Sequence, residues 1–254
     1  MNQYHCLKPM LLGLVVSASL SGCVTETSGG LPKPAAVEAR IQAQLDLARG
    51  YIEQRNISRA KGPLSKALEL NPGHVEARVL YAVLLESENE YELAEDNYRL
   101  ALNRAPTDPQ ALNNFGRFLY GQQRYTEAVD VLRRLVADTG YHARAQAFEN
   151  LGLSLVAIDD EDAAYAAFTR ALELNFRQPR SNLELAALEL AKGNYRAAQS
   201  QLISFRTYAR QTARSLCLGI KVHDALDDAD QVASNTLALK NLFPDQAVQC
   251  LTKI

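Results

Sequence analysis

The chain has 254 residues, with 27 basic and 29 acidic side chains and a formal charge of −2 at pH 7. A balance so close to neutral supplies no basic stripe, which excludes a nucleic-acid surface. With 47% hydrophobic residues the chain can bury a continuous core, and after the first 22 residues no apolar run approaches the roughly 20 residues needed to span a bilayer.

The first element in chain order is residues 1–22, read as a secretory signal peptide. Lys8 supplies the positive charge and the apolar run MLLGLVVSASL follows, from Met10 to Leu20. Such a run is too short for a membrane span and has the layout of an export signal. It ends in Leu20-Ser21-Gly22-Cys23, which resembles a bacterial lipobox. That resemblance implies cleavage before Cys23 and acylation of its thiol; a chance cysteine behind an ordinary signal is the bland alternative. The resemblance implies three acyl chains on Cys23, which would anchor the protein firmly, whereas one chain alone gives only marginal binding, at about 0.8 kcal/mol per buried CH2. Val24, rather than Asp, follows the cysteine, which favours the outer membrane, periplasmic face, over retention at the inner one. Cleavage removes one cation, Lys8, and leaves 26 basic against 29 acidic side chains. Residues 23–37 then read as a lipidated N-terminus and flexible tether, because Gly29, Gly30, Pro32 and Pro34 oppose regular structure.

Residues 38–254 form one domain built on a ladder. Pro72 and Pro106 stand 34 residues apart, and so do Ala60, Ala94 and Ala128 in succession; Gly116 and Gly152 stand 36 apart, so one unit carries two extra residues. Small residues recur where two helices would press together and large ones where gaps need filling: Leu47-Ala48, Tyr81-Ala82, Phe115-Gly116, Leu151-Gly152 and Leu185-Ala186, each followed by Leu64, Tyr98, Leu132, Phe168 and Leu202. The prolines stop the second helix of a unit, having no N–H for its interior. This pattern and period resemble the tetratricopeptide repeat, a helix–turn–helix unit. The resemblance implies an all-α, right-handed superhelical solenoid of six helical hairpins, near 41–74, 75–108, 109–144, 145–178, 179–212 and 213–246, with a short C-terminal capping segment. The departures are local: no tryptophan opens a first helix, Gly140 stands where a proline is expected, and Glu189 stands at a normally apolar position.

Two cysteines, Cys217 and Cys250, remain after Cys6 leaves with the signal and Cys23 takes lipid. Exported proteins meet an oxidising compartment. A spacing of 33, close to one repeat, puts the two on neighbouring helices within bridging range. A disulfide is the favoured reading and a pair of buried free thiols the alternative.

No enzyme motif survives inspection, so no catalytic residue, cofactor, metal or small-molecule substrate is expected. His74, His142 and His223 lack metal-ligand spacing. His74, in an inter-repeat turn, reads as solvated. The acidic run Asp159-Asp160-Glu161-Asp162 reads as a turn that favours the N-terminus of the next helix. Tyr51, Tyr81 and Tyr98 read as core. What remains is a groove. The resemblance implies that it is lined by the first helix of each unit at positions 2, 5, 9 and 12. Those positions hold Leu45, Arg49 and Ile52, then Val79, Val83 and Glu86, then Asn113, Arg117 and Tyr120, then Glu149, Leu153 and Val156, then Leu183 and Leu190, and in the last unit Arg214 and Lys221. Apolar residues at outward positions mark a protein-binding strip; packing on the adjacent helix is the competing reading.

Lipobox, tether, six repeats and two late cysteines together resemble one family, the type IV pilus biogenesis lipoproteins that serve as pilotin for the outer-membrane secretin. The run Leu47-Ala48-Arg49-Gly50-Tyr51 and the Ala60 to Pro72 segment carry the likeness in the first unit. It implies a non-enzymatic factor that binds secretin subunits and promotes their multimerisation. A lipid-anchored scaffold or regulator for peptidoglycan enzymes, or a subunit of the barrel-insertion machinery, is the alternative.

Overall fold

A computed structural model describes residues 34–251. Among them are thirteen α-helices and no strand. Twelve pair as hairpins: α1 (Pro34–Glu53) with α2 (Ile57–Leu70), α3 (Val75–Ser87) with α4 (Tyr91–Arg104), α5 (Pro109–Gly121) with α6 (Tyr125–Ala137), α7 (Arg144–Val156) with α8 (Glu161–Leu174), α9 (Pro179–Ala191) with α10 (Tyr195–Tyr208), and α11 (Ala213–Asp224) with α12 (Ala229–Leu242). The last, α13 (Pro244–Leu251), packs on α11 and α12. Each hairpin touches its neighbours in sequence, as a solenoid requires.

First helices open at 75, 109, 179 and 213, as expected, and at 144 in place of 145. The first differs more. It opens at Pro34, seven residues before the expected boundary, so residues 34–37 are helix and not tether. Proline at a helix start costs nothing, since its missing N–H would have no partner there.

Every hairpin turns in the same way. Arg55, Asn89, Gln123, Asp159, Gly193 and Asp227 each have a positive φ, between 56° and 77°. In each case the next residue's amide reaches back to the first helix: Asn56 to Tyr51 O, Glu90 to Leu85 O, Arg124 to Leu119 O, Asp160 to Leu155 O, Asn194 to Glu189 O, Asp228 to His223 O, all within 2.8–3.0 Å. This closes the helix with a left-handed residue and ties off carbonyls that the helix leaves without donors.

Helix pairs press together through the small positions. Gly116 faces Leu132 and Gly152 faces Phe168, each so closely that a Cβ would stand 2.7 and 2.6 Å from the neighbour. Leu64, Tyr98, Leu132 and Phe168 are all fully buried. One core runs unbroken from Ile41 to Leu188, with two smaller clusters towards the C-terminus. The last of these joins Leu216, Ile220 and Leu239 to Ala247 and Cys250 of α13. In α12 only Leu239 is buried, so the final hairpin leans on α13 for its cover.

Candidate functional site: the wall of first helices

Helix starts are held by short side chains. Asp108, Asp160 and Thr212 accept from the amides of Ala111, Ala163 and Ser215, satisfying donors that the first turn leaves open. His74 does the same for Ala77 and also meets Glu38 at 3.4 Å; it is a capping residue, not merely a solvated one. Asp160 caps α8, with Glu161 and Asp162 in its first turn.

The expected groove residues divide in two. Leu45, Val79, Leu153 and Leu183 are buried, which corrects their placement on an open groove. The cause is packing: Val79 and Leu183 are covered where successive first helices touch, α3 with α5 and α9 with α11, and Leu45 and Leu153 are part of the continuous core. Glu149 shows the same effect in polar form. It is 4% exposed, and its Oε2 accepts from the Ser181 amide at 3.1 Å and hydroxyl at 2.8 Å. Arg49, Ile52, Val83, Tyr120, Val156 and Leu190 stay half-exposed on the wall.

Polar rungs cross between several of the successive first helices. Arg49 pairs with Glu76 at 2.6 Å, Asn150 meets Asn113 at 3.4 Å, and Arg214 grips Glu184 at 2.6 Å. The carboxylate raises the Arg214 pKa despite burial. Glu86 accepts from the Tyr98 hydroxyl. Burial pushes the Glu86 carboxyl above the usual range, and the phenol hydrogen bond only partly offsets it. Burial and the nearby Glu86 push the Tyr98 phenol up as well. Glu189, the acid at an apolar position, is buried but accepts from Tyr165 at 2.7 Å and Asn194 at 2.8 Å, which removes the cost of an unpaired buried acceptor.

Between α5, α7 and α9 the wall opens into a cavity of about 200 Å³, lined by Gly116, Arg117, Tyr120, Leu132, Asn150, Leu153 and Arg180. Sequence reasoning passed over Asn150 and Arg180. Arg180 holds position 2 of its unit, one of the groove positions, so the signal was there; Asn150 sits off those positions and carried none. Outside this cavity, Phe176 and Tyr208 lie ring to edge at 5.8 Å and are both exposed.

Cys217 on α11 and Cys250 on α13 are brought together, with Cα atoms 5.9 Å apart. Cys23 lies outside the described residues. Among the described residues no group of histidine, cysteine or acidic side chains could hold a metal ion, and no helix is long and apolar enough to cross a membrane.

A stack of six such hairpins, with a continuous core and a polar-laced wall of first helices, defines a helical-repeat protein of the kind that offers a surface to other proteins. The tetratricopeptide repeat family matches residues 45–109, 94–143 and 145–178. The type IV pilus assembly protein PilF of Pseudomonas aeruginosa is 38% identical over 235 residues, 92% of this chain and 93% of that protein. A solved structure from a functional characterisation of Pseudomonas aeruginosa PilF superposes with a TM-score of 0.81 at 36% identity, covering 86% of this chain and 99% of that one. The crystal structure of PilW, described as a widely conserved type IV pilus biogenesis factor, has a TM-score of 0.74 over 83% of this chain and 98% of that one; at 23% identity it shares the fold. The chain belongs to the tetratricopeptide-repeat family and, within it, to the type IV pilus assembly proteins related to PilF.

Proposed function

We propose that the chain is an outer-membrane lipoprotein that acts as a pilotin in type IV pilus biogenesis. It binds secretin subunits, brings them to the outer membrane by the acyl group on Cys23, and promotes their multimerisation. It does so without chemistry of its own. The observation that carries this reading is the 38% identity to PilF along 92% of the chain. The sequence Leu20-Ser21-Gly22-Cys23 supports the anchor. The solenoid supports the binding role: a wall of helices tied by rungs such as Arg49–Glu76 and Arg214–Glu184 is ordered before a partner arrives, so little ordering entropy is lost on contact.

The test is affinity capture of the full-length protein from detergent-solubilised membranes, in the parent chain and in Cys23→Ser. The parent chain should recover the secretin as a heat-resistant multimer from the outer-membrane fraction. Cys23→Ser should lose fatty-acid label and leave secretin monomeric or at the wrong membrane. Label retained on the serine variant refutes the anchor, and recovery of peptidoglycan enzymes or barrel-insertion subunits in place of secretin refutes the pilotin role.

A further inference from the structure

We propose that one edge of the solenoid, the edge that carries the turns between hairpins, docks around the fifth hairpin on an anionic phospholipid leaflet and so fixes how the anchored domain stands on its membrane. This rests on the reading of Cys23 as the acylated residue and adds the orientation of the domain behind it. Two rings mark the place. Phe176, in the turn between α8 and α9, is 60% exposed, and Tyr208, at the end of α10, is 42% exposed. They meet ring to edge at 5.8 Å across the two turns that flank the fifth hairpin, and the stack covers neither. Leu174, two residues before Phe176, is exposed as well. Rings with an apolar body and a phenol tip suit the boundary between lipid headgroups and acyl chains.

Charge points the same way. Residues 174–179 and 206–213, on this edge, hold Arg177, Arg206 and Arg210 and no acid. None of the three makes an ion pair among the described residues. The Arg177 guanidinium lies over the Phe176 ring, 5.4 Å from its centre, so cation and ring are presented together. The other edge of the same stretch has the opposite sign. Its hairpin turns at 157–162 and 225–230 hold seven acids and no base, and Lys192, in the turn between them, is paired with Asp162 at 3.1 Å. An anionic surface attracts one edge and repels the other, which orients the domain as well as holding it.

The chain also enters the fold on this edge. Every first helix runs from the inter-repeat turns towards the hairpin turns. In α1, Glu38 meets His74 of the first inter-repeat turn at 3.4 Å, so its start lies there too. Ten residues separate Cys23 from Pro34, and a chain of that length spans at most about 40 Å. Such a tether keeps the domain near the leaflet without choosing its orientation. With Phe176, Tyr208 and the three arginines against the headgroups, the helices stand along the membrane normal and the wall of first helices faces sideways, open to a partner.

The chain contains no tryptophan. Phe176→Trp therefore supplies a single reporter on this edge, and Tyr91→Trp supplies one on the other, beside the hairpin turn at Asn89. The full-length acylated protein with either reporter is reconstituted into vesicles of phosphatidylethanolamine and phosphatidylglycerol, or of phosphatidylcholine alone, each with acyl chains brominated near the headgroup. In the anionic vesicles the reporter at 176 should shift to the blue and lose about half its emission, as an interfacial indole does, and the reporter at 91 should do neither. Arg177→Gln, Arg210→Gln in the Phe176→Trp background should restore most of the emission with helical circular dichroism unchanged, and so should raised salt. Equal quenching at both positions, none at either, equal quenching in phosphatidylcholine, or quenching that survives the double variant overturns the proposal. Flotation of the same vesicles reads the anchor separately. Protein that floats with neither reporter quenched keeps the lipid on Cys23 and overturns the docked edge; unacylated protein quenched at 176 by added anionic vesicles supports the docked edge and tells against the anchor alone.

Discussion

Gly152 lies under the ring of Phe168, with the position of a Cβ only 2.6 Å from Cε1. The glycine on α7 lets the phenylalanine of α8 reach the helix backbone, and the ring is wholly buried as a result. Gly152→Ala should therefore destabilise the protein by roughly 1–2 kcal/mol, overpacking outweighing the gain from replacing a helical glycine. Gly62, inside α2, has nothing within 4 Å of its Cβ position. The same substitution there should stabilise by about 0.5–1 kcal/mol. Denaturant melts of the two variants should shift in opposite directions; shifts of the same sign would mean that the close approach of Gly152 and Phe168 does not govern the pair.

The hairpin turns offer a second test. Gln123 has a φ of 60° and Arg55 one of 57°, in a region where a Cβ costs about 1–2 kcal/mol. Gln123→Gly should raise stability by up to about 1 kcal/mol, the relief being partly offset by the greater freedom of the unfolded glycine. Gly193→Ala, at a φ of 77°, should lower it by a similar amount. Thermal midpoints measured side by side check both signs.

Which parts of this were legible in the sequence follows from what repeats. Pairs such as Gly116–Leu132 and Gly152–Phe168 recur in register, so the hairpins and nearly all their starts could be read. The left-handed turn residues could not, because only Gly193 of the six is a glycine and Arg55, Asn89, Gln123, Asp159 and Asp227 carry no shared signature. The groove was half legible. Leu45, Val79, Leu153 and Leu183 hold positions that open outward in an isolated helix, but in the stack the next first helix covers Val79 and Leu183, and Leu45 and Leu153 join the continuous core. Helical periodicity describes one helix and its own face; it does not say how closely the following unit approaches.

Glu86 makes stability depend on pH in a definite sense. Burial holds its folded pKa above the ordinary carboxylate value. A group raised in this way favours the folded state most when protonated, and that contribution is lost as pH rises from its unfolded pKa through its folded one. Glu86→Gln keeps an acceptor for the Tyr98 hydroxyl and removes the buried charge. The variant should equal or exceed the parent in stability at pH 7–8 and lose part of its advantage, or fall behind, near pH 4. Urea titrations at the two pH values read this directly, and a variant clearly weaker at pH 8 would show that the ionised form is the better-held one.

The C-terminal end should be the first to open when Cys217 and Cys250 are kept apart. Their Cα atoms stand 5.9 Å apart across α11 and α13, and we expect a disulfide between them in the exported protein. The sixth hairpin needs that fastening. Its second helix buries only Leu239, Gly219 faces the polar Asn235, and among the described residues its outer side is covered by the short α13 in place of a full hairpin. An end repeat that lacks a cap frays. Closing a loop of 33 residues removes unfolded-state entropy worth about 3–4 kcal/mol in the chain-entropy account. Cys217→Ser, Cys250→Ser should therefore lower protection from hydrogen exchange in α11–α13 well before any change in α3–α6, whose core is continuous with both neighbours. A non-reduced digest of protein taken from the periplasm should show the two cysteine peptides joined. Two alkylatable thiols there, or an exchange pattern that loosens evenly along the chain, would mean that the tail is held by packing alone.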